Sequence, residues 1–224
     1  MIKLPLYKGL DLSRHQEAGK VNFKECKGLG YSFVILRAGY GKHTSQKDAA
    51  FESHYKAAKE AGLNIGAYHY SYAVTPAEAV QEAECFLSWI KGKKLDYPVV
   101  FDIEDKVQKK LTNSQRTDIA LAFMTTVEAA GYYTMLYSSA SWLGSKFEWN
   151  RVYNGKALSH FDVWVAAYVG SQSGISKYYK GIYGIWQYTS SLVVKKIYKS
   201  RLDHNYAYKN YPAIIRRAGL NHLN

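Results

Sequence analysis

The sequence predicts an α/β protein, a compact TIM-like (β/α) barrel with some helices missing from its second half. Three observations carry that prediction. Short apolar runs bounded by Gly or polar residues recur eight times, as buried strands do. Amphipathic helical stretches lie between many of them, at the roughly 30-residue spacing of a βαβ unit. No Pro-, Gly- or Ser-rich linker divides the 224 residues, so the whole chain, 1–224, reads as one domain. Such alternation gives right-handed crossovers and a mostly parallel sheet. Eight strands in this length suit a closed barrel better than an open sheet.

The strands are expected at Leu6–Leu12, Ser32–Arg37, Asn64–Tyr70, Pro98–Ile103, Thr134–Ser138, Val163–Ala167, Ile182–Tyr188 and Arg201–Asn205. Between the second and third, Ala50, Phe51, His54, Tyr55, Ala58 and Ala61 fall on one helical face. Thr75-Pro76-Ala77-Glu78 is a capping box with Pro at the first helical position, opening a helix to Ile90. Thr112 and Gln115 form a second box, opening a helix to Ala130, and Tyr211–Ala218 reads as a closing helix. Ala61-Gly62-Leu63, Ala130-Gly131-Tyr132 and Ala218-Gly219-Leu220 each place a glycine where a helix ends in the left-handed conformation.

Composition narrows the function. No run of 18 apolar residues provides a membrane-spanning helix. Cys26 and Cys85 are too few for a disulfide framework and read as buried thiols, though a single bridge between them stays open. Thirty Lys and Arg against 18 Asp and Glu give a net charge of +12, which speaks of anionic partners and not of fold. The basic residues scatter, as Lys91/Lys93/Lys94, Lys106/Lys109/Lys110, Lys195/Lys196/Lys199/Arg201 and Arg216/Arg217, with no nucleic-acid motif beside them. The seven histidines have no metal-ligand spacing, which argues against a metal-dependent deacetylase. Twenty-one Tyr and five Trp supply rings that serve a core or stack on sugars.

The chemistry is written in carboxylates. Tyr97-Pro98-Val99-Val100-Phe101 runs into Asp102-Ile103-Glu104. Residues i and i+2 of a strand share a face, so both acids point the same way, at the end of a barrel strand where chemistry collects. Two acids this close cannot ionise independently; one stays protonated near neutral pH. The bland alternative is a pair of capping or salt-bridged acids. Asp11 ends the first strand and Asp203 the last, and these strands are neighbours in a closed barrel. Four converging acids without His or Cys partners suggest a hard cation or glycosidic-bond hydrolysis. Tyr68, Tyr70, Tyr137, Trp164, Trp186 and Tyr188 stand near strand ends and favour a sugar groove.

These residues belong to a longer pattern that resembles glycoside hydrolase family 25, the lysozymes (N-acetylmuramidases) of phage endolysins and bacterial autolysins. The pattern runs through Gly9-Leu10-Asp11-Leu12-Ser13 with Gln16, Gly30-Tyr31-Ser32-Phe33-Val34-Ile35-Leu36-Arg37-Ala38-Gly39-Tyr40-Gly41, and Gly66-Ala67-Tyr68-His69-Tyr70-Ser71-Tyr72-Ala73. It continues through Tyr97–Glu104, Gly131-Tyr132-Tyr133, Trp164-Val165-Ala166, Trp186-Gln187-Tyr188-Thr189 and Asp203 with Asn205-Tyr206. Glu17 and His204 depart from it, standing where the family often has glycine and an apolar residue.

The resemblance implies a flattened, incomplete (β/α) barrel that cleaves the β-1,4 bond between N-acetylmuramic acid and N-acetylglucosamine with retention. It implies Glu104 as proton donor and Asp102, Asp11 and Asp203 as supporting acids. Arg37, Tyr68, Tyr70, Tyr137, Trp164 and Trp186 are then expected to bind substrate, with no cofactor and no metal. Expected partners are bacterial peptidoglycan and, through a basic surface placed away from the acids, anionic wall polymers; nucleic acid and membrane are not expected. A catalytically inactive glycan-binding protein on the same fold is the alternative, and the presence of Glu104 argues against it. No apolar leader follows Met1–Tyr7 and no wall-binding module is visible. That fits a phage endolysin made in the host cytoplasm and released to the wall, with a secreted autolysin as the alternative.

Overall fold

The computed structural model describes residues 4–223; Met1–Lys3 of the N-terminal stretch and Asn224 lie outside the described residues. The strands are β1 (Tyr7–Leu12), β2 (Tyr31–Tyr40), β3 (Asn64–Tyr70), β4 (Val99–Asp102), β5 (Thr134–Ser139), β6 (Val152–Tyr153), β7 (Lys156–Ala157), β8 (Asp162–Ala166), β9 (Ile185–Val193) and β10 (Arg201–Ala207). The helices are α1 (Phe23–Gly28), α2 (Phe51–Glu60), α3 (Pro76–Ile90), α4 (Asn113–Ala129), α5 (Ala140–Ser145), α6 (Gln172–Ile175) and α7 (Tyr211–Arg217). All eight expected strands are present. The short helices α1, α5 and α6 and the β6–β7 hairpin are too brief to leave a periodic signal.

Eight strands close a barrel in the order β1-β10-β9-β8-β5-β4-β3-β2. Seven run parallel, and β10 is inserted antiparallel between β9 and β1. The sheet therefore closes; the ring of helices is what is incomplete. A four-residue helix is all that joins β8 to β9, and a hairpin without a helix joins β9 to β10.

Local sequence explains the long helices. Thr75 accepts a hydrogen bond from the Glu78 N–H, while the Glu78 carboxylate accepts from the Val74 N–H. Thr112 and Gln115 form the reciprocal box at the start of α4. Gly62, Gly131 and Gly219 follow their helices with φ of +72°, +87° and +69°, the left-handed cap their positions foretell.

Strand alternation divides the core in two. Outward residues such as Val34, Leu36, Ile65, Phe101 and Val165 pack under the helices. Inward residues Phe33, Ile35, Tyr97, Val100, Met135 and Ile185 fill the lower barrel, and Tyr211 and Ile215 of α7 close its foot. Phe33 stacks on Tyr97 at 4.3 Å between centroids. Gly9 is required beside them, since a Cβ there would sit 2.4 Å from the Phe33 ring. Cys26 and Cys85 are buried free thiols, not a bridge. His204, one departure from the family pattern, is fully buried on the outer face of β10 beside Tyr31 Oη, 3.0 Å from its Nδ1. Burial lowers its pKa to about 4, so it stays neutral and takes the place of an apolar residue.

Candidate active site

The upper barrel is polar. Above the apolar layer, the next inward residues are Asp11, Arg37, Tyr68, Asp102, Tyr137 and Gln187, and they line an open cleft of about 250 Å³. Val100, Asp102 and Glu104 face inward in turn, as the i, i+2 spacing predicts, although β4 itself ends at Asp102. Glu104 is held two residues past the strand because Ile103 is tied down. The Ile103 N–H donates to the Tyr137 carbonyl and its own carbonyl accepts from the Ser138 hydroxyl. Asp105 then caps a 3-10 turn, Lys106–Lys110, and accepts a hydrogen bond from Tyr70 Oη at 2.9 Å.

Asp203 reaches the cleft by a different route from the one expected. It does not end a parallel strand; it is the third residue of antiparallel β10. Reversing the strand brings its beginning to the mouth, where Asp203 sits directly opposite Asp11 in the β1–β10 ladder.

The acids differ in their company. Asp11 Oδ2 accepts from Gln187 Nε2 at 2.9 Å and from Asn205 Nδ2 at 2.7 Å. Asn205 in turn accepts from Trp164 Nε1, and Gln187 Oε1 accepts from the hydroxyls of Tyr137 and Tyr168. Asp102 is as deeply buried, yet its Oδ1 has no hydrogen-bond partner. Arg37 is the cation of the cleft lining that the charge of Asp102 feels, and its Nε is committed to Asp48 at 2.6 Å.

Burial and mutual repulsion favour the protonated forms throughout. Desolvation, then Asp203, raises Asp11, against the pull of Asn205 and Gln187. Desolvation, then Glu104 and Asp11, raises Asp102, with Arg37 opposing. Glu104 is raised by desolvation and by Asp203, and Asp203 is pushed up to about 6 by desolvation. A cluster that cannot all ionise keeps a proton available near neutral pH. Among the described residues, no three His, Cys, Asp or Glu side chains are grouped as a metal-holding set.

Nine of the ten expected site residues meet in this cleft: Asp11, Arg37, Tyr68, Tyr70, Asp102, Glu104, Tyr137, Trp164 and Asp203. Trp186 does not. It lies on the outer face of β9, donating from Nε1 to the Ala167 carbonyl and packing near Tyr188 and Tyr206. Its neighbour Gln187 is the inward residue. Sequence reasoning missed Gln187, Asn205, Tyr168, Ser13 and His15 as parts of the mouth. Asn205 was within reach, since period-2 parity counted from Asp203 turns it inward.

The whole chain can now be set against known proteins. The family model for glycosyl hydrolases family 25 matches residues 10–197. An autolytic lysozyme from Clostridium acetobutylicum is 37% identical over 97 residues, covering 43% of this chain and 28% of that protein. The CTP1L endolysin structure superposes with a TM-score of 0.76 at 26% identity, covering 95% of this chain and 70% of that one. The modular autolysin LytC from Streptococcus pneumoniae, solved with a synthetic peptidoglycan ligand, has a TM-score of 0.70 at 28% identity, covering 89% of this chain and 46% of that one. The chain spans less than two thirds of the length of the curated relatives it matches first. No helix among the described residues is long and apolar enough to cross a membrane. With most of its length inside the family model, the chain belongs to glycosyl hydrolases family 25.

Proposed function

We propose that this chain is a lysozyme that cleaves the β-1,4 bond between N-acetylmuramic acid and N-acetylglucosamine in bacterial walls. The observation that supports it best is the four-acid cleft, in which desolvation raises the pKa of Glu104 and Asp102 Oδ1 is buried without a hydrogen-bond partner. Glu104 gives its proton to the glycosidic oxygen as the C1–O bond breaks. On the far face of C1, either the Asp102 carboxylate or the substrate's own N-acetyl oxygen, oriented by Asp102, bonds to C1 as the glycosidic bond breaks, and this new bond breaks in turn when water attacks. Glu104, now a base, takes a proton from water as the water attacks, and the product keeps the β configuration. Asp11 and Asp203 hold the cleft's potential negative, and Tyr68, Tyr137 and Trp164 line the sugar path.

The test is lysis of purified walls with identification of the new reducing ends. Glu104→Gln keeps the shape and removes the proton, so lysis should fall by about 100-fold or more. Activity above a hundredth of wild type would reject the assignment, and an α anomer appearing first in NMR of fresh product would reject retention. A wild-type protein that bound walls without releasing reducing ends would be a glycan binder instead.

Charge supports a second contact with the wall. Two of the four basic clusters lie on the mouth side of the barrel, while Lys91, Lys93 and Lys94 follow α3 and Arg216 and Arg217 sit on α7 at the foot. Lys106, Lys109 and Lys110 ride the exposed turn after Glu104, and Lys195, Lys196 and Arg201 ride the β9–β10 hairpin that rises above the mouth. Lys199, on the same hairpin, pairs with Glu17. This basic rim would attract anionic wall polymers. Exposed charges are screened beyond about 8–10 Å at physiological salt, so lysis of whole walls should weaken as salt rises while cleavage of a short soluble muropeptide should not. Equal salt dependence would reject the contact.

A further inference from the structure

A second cavity is larger than the acid cleft. It measures about 550 Å³ and opens at the foot of the barrel, beneath β5 and β8. Asp162, the first residue of β8, lines it, whereas Trp164 and Ala166 of the same strand face the barrel interior toward the mouth. Along β8, Asp162 of this cavity and Trp164 of the acid cleft are two residues apart, roughly 7 Å at ~3.3 Å per residue, and their side chains serve separate spaces. Nothing in the proposed chemistry uses this space.

Its walls are specific. Trp149 and Tyr179 form a tilted ring pair, 5.5 Å between centroids, and Tyr133 and Ile182 lie at its other sides. Ile182 is 74% exposed, an unusual position for an apolar side chain that serves folding alone. The polar groups include Asp162, Lys209, Lys180, Ser159 and His160, whose Nε2 lies 2.9 Å from Glu128 Oε1. Lys209 is paired with Asp162 at 2.8 Å, and Lys180 is exposed without an ion pair among the described residues. The local balance of Asp162, Lys209 and Lys180 is therefore positive.

Backbone packing fixes this shape. A Cβ on Gly144 of α5 would fall 1.7 Å from the Tyr178 carbonyl oxygen. One on Gly181 would meet the Tyr179 hydroxyl at 2.2 Å, and one on Gly184 the Tyr211 hydroxyl at 1.8 Å. Three glycines thus let the segment 178–184 lie against α5, the Tyr179 ring and α7. The cavity is pre-formed, and its volume falls within the range of small-molecule sites.

Ring faces beside hydroxyl and ammonium donors suit a ligand with an apolar face, polar edges and a negative group. Resting on the lysozyme reading above, we infer that the foot cavity is a second, non-catalytic glycan site that takes an acidic N-acetylated amino sugar of the wall. The sugar's C–H face and N-acetyl methyl would lie on Trp149, and its carboxylate would face Lys180 and Lys209. A strand held at the foot would keep the protein on an insoluble polymer between cleavages.

The experiment uses the full chain carrying Glu104→Gln, so that ligand is bound and not consumed. Titration calorimetry with the N-acetylglucosaminyl-N-acetylmuramic acid disaccharide should find two sites. Lys180→Glu, an exposed change, should weaken one of them about tenfold and leave the other unaltered. Trp149→Phe should weaken the same one, and uncharged chitobiose should occupy it less well than the acidic disaccharide. Unchanged thermal unfolding of both variants keeps the comparison fair. One site, or two sites both indifferent to Lys180→Glu and Trp149→Phe, would overturn the foot site and leave the lysozyme reading standing. No binding at either site would count against both.

Discussion

The two ends of the barrel each bury a carboxylate, and they treat it in opposite ways. At the foot, the Asp162 side chain is 5% exposed. Its Oδ2 accepts from Tyr211, Tyr133 and Lys209, and its Oδ1 accepts from the Val163 N–H. At the mouth, Asp102 is 5% exposed and leaves Oδ1 without a partner, facing three other acids. Unpaired buried charge is costly, so a fold tolerates it where the missing partner arrives from outside. A satisfied acid argues for architecture, and an orphaned one argues for chemistry. The apolar layer of Phe33, Ile35, Val100 and Met135 lies between the two ends and offsets the strain above it.

The largest effect that sharpens this contrast is expected at the mouth. Asp102→Asn keeps the shape and removes the charge that faces the reacting carbon. Wall lysis should fall by about 10²–10³-fold, the range for losing one electrostatic stabiliser. Thermal stability should be unchanged or slightly higher, since a buried repulsion is removed. A large loss of stability with activity retained would make Asp102 a structural acid and collapse the contrast.

The matching change at the foot should act the other way. Asp162→Ala leaves two tyrosine hydroxyls and the Lys209 ammonium without their common acceptor. The cost should be about 3 kcal/mol, as for breaking a buried pair, read as an earlier denaturant midpoint. Activity per folded molecule on a soluble muropeptide should stay within about twofold, since Asp162 lines the foot cavity and not the acid cleft. If lysis per folded molecule fell as far as for Asp102→Asn, the two ends would not be separable.

Much of this was legible in the sequence, because strands and cleft acids obey a period of two. Val100, Asp102 and Glu104 follow from it directly, and the eight strands follow from apolar runs with turn residues at their ends. What escaped depended on direction and on length. Trp186 looked like groove lining because aromatic residues cluster at strand ends, but parity turns it outward and Gln187 inward. The antiparallel run of β10 leaves no mark on hydropathy, so Asp203 was placed at the correct end for an incorrect reason. His15 and Tyr168 come from irregular loops, where no periodicity exists to read. The foot cavity is assembled from α5, β8 and the segment before β9, and no local pattern in those segments announces that they meet.

The smallest effect expected, and the one with the most specific signature, concerns Asp203. Burial raises its pKa to about 6, from an ordinary value of 3.8. The folded state therefore binds this proton more tightly than the unfolded state does. Its contribution to stability is fully present below about pH 4, declines as pH rises through the window from 4 to 6, and is lost above that. Asn is neutral at every pH and carries no such decline. Asp203→Asn should thus match wild type in thermal stability at pH 4 and exceed it above pH 6, by on the order of 1–3 kcal/mol. Thermal unfolding of both proteins from pH 4 to pH 8 reads the difference directly. A gain that is the same at every pH would place its origin in packing, and a loss above pH 6 would mean that the mouth satisfies Asp203 as the foot satisfies Asp162. Wall lysis by the same variant should fall even as its stability rises, because the Asp203 charge adds to desolvation in raising the Glu104 pKa and Asn would remove that contribution.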